Sequence, residues 1–152
     1  MARNVRVGDQ APDFSLTGWH DGQRRDLRLS AHRGAPVVLA FYPGDENSVC
    51  TKQLCSYSED WDALTGTGAQ VWGISPQGVQ SHVAFALNHG LKMPLLSDPD
   101  LGVATMYGVG GRYLKRSIFV IDAAGTVTWL HVAKLGLRFR GSAEITAVLS
   151  KL

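Results

Sequence analysis

The chain has 152 residues, a formal net charge of +2, and 45% apolar against 18% charged residues. This length predicts one domain with its own core, spanning residues 1–152, and the composition excludes a disordered chain. The near-balanced charge gives no indication of binding to nucleic acid or to a membrane surface. No apolar stretch approaches the ~18 residues of a membrane span, and the first residues lack a signal-peptide pattern. We therefore expect a cytoplasmic protein, in which structural disulfides are rare.

Strand and helix patterns alternate along the chain. In chain order they predict a small hairpin ending at 26–29, a buried strand at 36–42, a helix at 51–64, a strand at 70–75, helices at 79–89 and 101–107, a hairpin of strands at 117–121 and 126–130, and a last helix capped by Ser142. On the helix at 79–89, His82 and His89 share one face, which indicates an exposed polar stripe. The pattern predicts an α/β fold with a central mixed sheet and helices on both faces.

The two cysteines of the chain, Cys50 and Cys55, lie five residues apart. Cys50 comes directly after a loop and starts the helix predicted at 51–64, where unpaired N–H groups and the helix dipole favour a thiolate. It also continues the apolar stripe 50, 54, 57, 61, 64, so it faces inward. Cys55 is rotated by about 100° from Leu54, toward solvent. This arrangement indicates thiol redox chemistry.

In an intact helix the two Cα atoms lie about 8.6 Å apart, whereas a disulfide requires them within ~7 Å. A bridge therefore requires that the first turn unwinds, which predicts a cycle: Cys50 reacts in the folded protein, and Cys55 reaches it after the helix end melts. The residues alone leave other interpretations open. Cys50 could be an ordinary buried thiol and Cys55 an incidental helix residue. A zinc pair lacks a second pair of ligands at suitable spacing, and we expect no metal.

Several segments carry a resemblance that covers nearly the whole chain: 7–16, 37–43, 49–55, 94–100, 107–109 and 116–122. In this order they resemble the peroxiredoxins, specifically the bacterioferritin-comigratory or Q-type branch with two cysteines. The resemblance implies a thioredoxin-like fold with an N-terminal strand or hairpin extension. It also implies reduction of hydrogen peroxide or organic hydroperoxides without a cofactor. A thioredoxin- or glutaredoxin-like reductant and a monomer or weak homodimer are expected.

The same resemblance assigns roles to individual residues. Cys50 is the peroxidatic cysteine and Cys55 the resolving one, joined in an intramolecular disulfide during turnover. Pro43 shields the thiolate from water, and Arg116 lies beside it. The Cys50 N–H and the Arg116 guanidinium then supply hydrogen bonds to the departing peroxide oxygen. From the residues alone Arg116 could instead form a surface ion pair. Arg112 and Lys115 are the nearby residues that could take its role.

One position departs from the family pattern. The family has Thr or Ser three residues before the reactive cysteine, and this chain has Asn47 there. An amide both donates and accepts hydrogen bonds, but its reach differs from that of a hydroxyl. Ser48 is the alternative hydroxyl if the loop is shifted by one residue. Asn47 therefore motivates a second hypothesis, a peroxiredoxin-like thiol oxidoreductase that acts on another substrate. A third hypothesis is a redox sensor that uses the disulfide as a conformational switch.

Overall fold

The computed structural model describes residues 5–66, 68–133 and 139–152. Within these residues the strands are β1 (Ser15–His20), β2 (Gln23–Arg28), β3 (Val37–Phe41), β4 (Gln70–Ser75), β5 (Leu95–Ser97), β6 (Ser117–Ile121) and β7 (Val127–Val132). The helices are α1 (Ser48–Glu59), α2 (Trp61–Thr65), α3 (Val79–His89), α4 (Gly102–Met106) and α5 (Ser142–Leu149), with a 3-10 turn at Leu29–His32. The strands form one sheet in the order β2-β1-β5-β4-β3-β6-β7.

Strand β3 lies in the interior of the sheet, parallel to β4 on one side and antiparallel to β6 on the other. All five of its residues are buried, because successive side chains enter cores on opposite faces. Leu39 packs into one core with the residues of α4, and Val38 packs into the other with those of α1, α2, α3 and α5. The expected α/β architecture, a mixed sheet covered by helices on both faces, is confirmed.

The antiparallel pairing of β3 with β6 positions Arg116. Phe41, the last residue of β3, pairs with Ser117, the first residue of β6. Arg116 directly precedes β6, so it lies at the carboxyl end of β3, where the chain leaves the sheet toward α1. Residues distant in sequence therefore meet at this edge.

The predicted bounds of β4, α3 and β6 agree with the structure, and β1 and β2 form the N-terminal hairpin, which ends at Arg28. The helix predicted at 51–64 was wrong as a single element, because it breaks at Asp60 into α1 and α2. Ser142 is not the cap of α5, since Gly141 occupies that position. Instead the Ser142 hydroxyl donates a hydrogen bond to the Asp60 carboxylate, which ties the break to the start of α5. Over the residues that the structure describes, every helix is too short or too polar to cross a membrane.

Candidate active site

Cys50 lies in the first turn of α1, and its side chain is completely buried. Asn47 caps this helix: its Oδ1 accepts hydrogen bonds from the backbone N–H of Val49 at 3.0 Å and of Cys50 at 3.2 Å. The amide oxygen thus satisfies two of the donors that a helix start leaves unpaired. The Cys50 N–H that the sequence assigned to the substrate is therefore engaged by Asn47 in this state. Ser48 is exposed and begins the helix.

The guanidinium of Arg116 approaches the thiol from the residue that directly precedes β6. Arg116 is only 3% exposed; its Nη2 donates to Cys50 Sγ at 3.2 Å, and its Nη1 donates to Gln53 Oε1 at 2.6 Å. The planar fork holds one nitrogen on each partner, so a permanent positive charge is directed at the sulfur. Arg112 and Lys115 are both exposed. Arg116 is therefore the residue that presents both a hydrogen-bond donor and a positive charge to the buried sulfur.

A chain of hydrogen bonds continues from Arg116 to the segment that precedes α5. Gln53 Nε2 donates to the Tyr57 hydroxyl at 3.1 Å, and that hydroxyl donates to the carbonyl oxygen of Arg140 at 2.5 Å. Burial raises the pKa of Tyr57, which therefore stays a neutral donor. Sequence reasoning missed Gln53. The available signal was a polar residue one turn after Cys50, near the face that the apolar stripe buries.

The loop between β3 and α1 is bound to α3. The Asp45 carboxylate accepts from the Tyr42 hydroxyl at 2.7 Å and from His82 Nδ1 at 2.7 Å. Burial and the Asp45 carboxylate raise the pKa of Tyr42. The expectation of an exposed histidine stripe on α3 was wrong for His82, which is completely buried. The reason is that Asp45, 37 residues earlier in the sequence, lies against the same helix face.

Cys55 has a different environment from Cys50. It is partly exposed, and burial together with the carboxylates of Glu59 and Glu46 raises the pKa of its thiol. Both cysteines are free thiols and lie on the uninterrupted helix α1. A guanidinium faces one sulfur, whereas carboxylates act on the other. The surroundings of the two thiols therefore differ, and the raised pKa of Cys55 keeps that thiol protonated at neutral pH.

Pro43 is half-buried between Tyr42 and Gly44, and its role as a shield of the sulfur stays a prediction. Within the described ranges, His, Cys, Asp and Glu side chains form no group of three or more that could hold a metal ion. The site thus consists of a buried thiol, a guanidinium and a network of neutral hydrogen-bond partners.

Comparison with known proteins places this geometry in a family. The model of the AhpC/TSA family matches residues 7–130, most of the chain. The chain belongs to the AhpC/TSA family of peroxiredoxins. Among its relatives, a protein of Coxiella burnetii named peroxiredoxin bcp is 35% identical, over 82% of this chain and 87% of that protein. A Mycobacterium tuberculosis protein named as a peroxiredoxin is 37% identical, over 89% of this chain and 96% of its own.

The resemblance to the Q-type branch is confirmed for this peroxiredoxin. The chloroplastic peroxiredoxin Q of Triticum aestivum is 37% identical over 84% of this chain, which spans 59% of the wheat protein. Among solved structures, the reduced 2-Cys peroxiredoxin of Plasmodium vivax superposes with a TM-score of 0.88 at 26% identity, covering 95% of this chain and 80% of that one. AhpC of Enterococcus faecalis has the same fold, with a TM-score of 0.89 at 24% identity, covering 98% and 92%. The expected thioredoxin-like fold is therefore confirmed.

Proposed function

We propose that this peroxiredoxin is a thiol-dependent peroxidase that reduces hydrogen peroxide or organic hydroperoxides at Cys50. The observation that carries the proposal is the position of Arg116, whose Nη2 lies 3.2 Å from the sulfur of a completely buried cysteine at a helix start. Family membership supports the same reaction. Residues 1–152 form one thioredoxin-like peroxiredoxin domain in this proposal.

In the first step the Cys50 thiolate attacks one peroxide oxygen. The O–O bond breaks, the sulfur is oxidised to a sulfenic acid, and the departing oxygen leaves as an alkoxide or hydroxide that takes up a proton to give alcohol or water. Arg116 donates to the sulfur before the reaction and to the departing oxygen as negative charge moves onto it. Because that charge is larger in the transition state, a donor fixed there lowers the barrier. The half-buried Pro43 excludes water from the sulfur.

In the second step Cys55 attacks the sulfenic sulfur, water leaves, and a Cys50–Cys55 disulfide forms. Both cysteines lie on intact α1, where their Cα atoms are about 8.6 Å apart by helix geometry, beyond the ~7 Å of a bridge. The first turns of α1 must therefore unwind. A thioredoxin- or glutaredoxin-like dithiol then reduces the exposed disulfide and returns the helix to its reduced form. The proposed setting is the cytoplasm, with the protein as a monomer or weak homodimer.

Steady-state turnover tests the proposal: NADPH consumption coupled through thioredoxin reductase and thioredoxin, with hydrogen peroxide and with cumene hydroperoxide. The wild type should turn over, and Cys50→Ser should be inactive. Cys55→Ser should react once with peroxide and stop as a sulfenic acid that dimedone traps. Unchanged thioredoxin-dependent turnover of Cys55→Ser would exclude Cys55 as the resolving thiol. A disulfide that forms without turnover would favour a redox sensor, and no reaction with either peroxide would favour another thiol substrate.

A further inference from the structure

The loop before α1 carries two neighbouring carboxylates, and each is bound by a histidine of α3. His82 Nδ1 lies 2.7 Å from Asp45 Oδ2, and His89 Nε2 lies 2.6 Å from Glu46 Oε1. We propose that His82 and Asp45 are positioning residues for the peroxide reaction, which hold the loop and the start of α1 so that Cys50 meets the substrate in a fixed geometry. Glu46 and His89 form a weaker second attachment. This inference rests on the proposed peroxidase function.

The inner pair, His82 and Asp45, belongs to a buried network in which both carboxylate oxygens and both ring nitrogens have hydrogen-bond partners. The side chains of His82 and Asp45 are 0% and 1% exposed. Besides His82, the Asp45 carboxylate accepts from the Tyr42 hydroxyl at 2.7 Å and from the Ser81 hydroxyl at 2.6 Å. The other ring nitrogen, Nε2, lies 3.1 Å from the carbonyl oxygen of Leu96. Both ring nitrogens of His82 therefore lie within hydrogen-bonding distance of an oxygen, which fixes the ring between the loop and β5.

Such a pair is a poor device for stability alone. Removing polar side chains from water costs about as much as their buried hydrogen bonds return, so well-packed apolar residues at the same positions are often equally stable. What the pair supplies is a fixed orientation of the Asp45 side chain. Three donors on the two oxygens of Asp45 allow one orientation of the carboxylate, and therefore one path of the loop backbone.

The outer pair, Glu46 and His89, lies where the loop backbone is strained. Glu46 has φ +59°, a left-handed conformation that is uncommon for a residue with a side chain. Its carboxylate accepts from Asn88 Nδ2 at 2.8 Å and from His89 Nε2 at 2.6 Å, which holds it in that conformation. The next residue is Asn47, whose Oδ1 binds the Cys50 N–H. A shift of the loop is thus transmitted through one residue to the backbone of the reactive cysteine.

A second route connects the inner pair with the sulfur itself. Tyr42 follows the last residue of β3 and is completely buried, with its hydroxyl on Asp45. A charge on Cys50 adds to the influences that raise the pKa of Tyr42, so the ring lies within electrostatic range of the sulfur. Loss of the Asp45 carboxylate would remove the acceptor that orients the Tyr42 ring in the core that it shares with Cys50.

The test compares two reactions of Cys50 in the full-length protein: oxidation by hydrogen peroxide, which needs a positioned substrate, and alkylation by iodoacetamide, which needs only an accessible thiolate. Asp45→Asn and His82→Phe should each lower the peroxide rate constant by about tenfold or more, with alkylation changed by less than about threefold. The double variant should lose less than the product of the two single losses, because both act through one contact.

Asp98→Asn is the matched control. Asp98 is also a buried carboxylate, 2% exposed, but it accepts from the backbone N–H of Val103 and Ala104 on α4. This variant should lose stability and keep both rate constants of the folded protein. His82→Gln, which retains one side-chain donor, should recover part of the peroxide rate relative to His82→Phe.

Equal loss of both rates in the Asp45 and His82 variants, or an unchanged peroxide rate in folded protein, overturns the positioning role. If the Asp45 and His82 variants do not fold, Glu46→Gln and His89→Gln test the proposal instead. These side chains are 49% and 28% exposed, so their replacement should not prevent folding. These two variants should lower the peroxide rate by about two- to fivefold, and no change in either contradicts the proposal. Failure of the wild type to react with peroxide at Cys50 would instead refute the peroxidase function itself.

Discussion

Replacement of Asn47 by alanine should separate the two chemical steps of the cycle. The Asn47 side chain accepts hydrogen bonds from two N–H groups at the start of α1, those of Val49 and Cys50. Alanine removes both bonds and leaves the rest of the helix intact. Loss of an N-terminal cap of this kind costs about 0.5–2 kcal/mol, typically about 1 kcal/mol. Because Asn47 is exposed, water reaches the freed N–H groups, and a cost of about 1 kcal/mol is expected.

The two steps depend differently on this free energy. Disulfide formation requires an unwound helix start, and about 1 kcal/mol makes unwinding easier by about fivefold, since 1.4 kcal/mol corresponds to a factor of ten. The oxidation of Cys50 proceeds from the folded helix, which remains the dominant form because unwinding still costs a few kcal/mol. We therefore expect disulfide formation to accelerate by up to about fivefold, while the peroxide rate constant stays within about threefold.

Single-turnover stopped-flow fluorescence measures both steps. Trp61 packs against the core that contains Cys50 and Leu54, so it should report the unwinding of α1. The fast phase depends on peroxide concentration, and the slow phase does not. Asn47→Thr is the control, because threonine keeps a cap oxygen and restores the hydroxyl of the family pattern; its slow phase should stay near that of the wild type, and its fast phase should be equal or faster.

A slow phase that is unchanged or slower in Asn47→Ala, in a protein whose unfolding free energy has fallen by about 1 kcal/mol, would refute the unwinding mechanism. A faster fast phase in Asn47→Ala would show that the cap restrains the reactive thiol. If Asn47→Thr slows oxidation and Ser48→Ala is equally harmful, Ser48 has the hydroxyl role of the family.

Three further predictions concern the thiol environment. Arg116→Ala should lower the rate constant for peroxide by about 10²-fold or more, as for the loss of one oxyanion donor; stopped-flow oxidation measures it, and a loss below tenfold would contradict the role. Gln53→Leu keeps the charge of Arg116 but removes the acceptor 2.6 Å from its Nη1. We therefore expect an intermediate loss, about tenfold, in the rate constant for peroxide in the same assay. Because its pKa is raised, Cys55 should be mostly protonated at neutral pH, and disulfide formation should accelerate as pH rises toward and beyond 9. Glu59→Gln lowers that pKa and should accelerate disulfide formation at pH 7–8. A rate of disulfide formation that is independent of pH would exclude thiolate formation at Cys55 as the limiting event.

Periodicity in the sequence predicted much of the local structure. The bounds of β4, α3 and β6 follow from apolar patterns that act within one element, and the structure has them at the predicted residues. The inward orientation of Cys50 also follows from helical spacing, because it continues a stripe whose members Leu54, Tyr57 and Leu64 are buried. Arg116 could be named only from the family resemblance, since the residues alone also allowed a surface ion pair.

Other features depended on partners that the sequence does not bring together. At the break between α1 and α2, Asp60 accepts a hydrogen bond from Ser142, 82 residues later in the sequence. No local sequence signal distinguishes this arrangement from a continuous helix. Gln53 was missed from the sequence, because its role depends on Arg116, which lies 63 residues later in the chain. Periodicity states which face a residue occupies but not what that face meets.

His82 shows the limit most clearly. Its spacing from His89 indicated one helix face, which the sequence could define, and polar residues on a shared face are most often exposed. In the folded protein the carboxylate of Asp45 lies against it, so a polar ring is buried instead of solvated. The sequence by itself determined the elements, the buried thiol and the family, because those depend on short-range patterns. Only the tertiary structure decided the hydrogen-bond partners of the thiol and its loop, because these partners come from strands and helices that meet across the sheet edge.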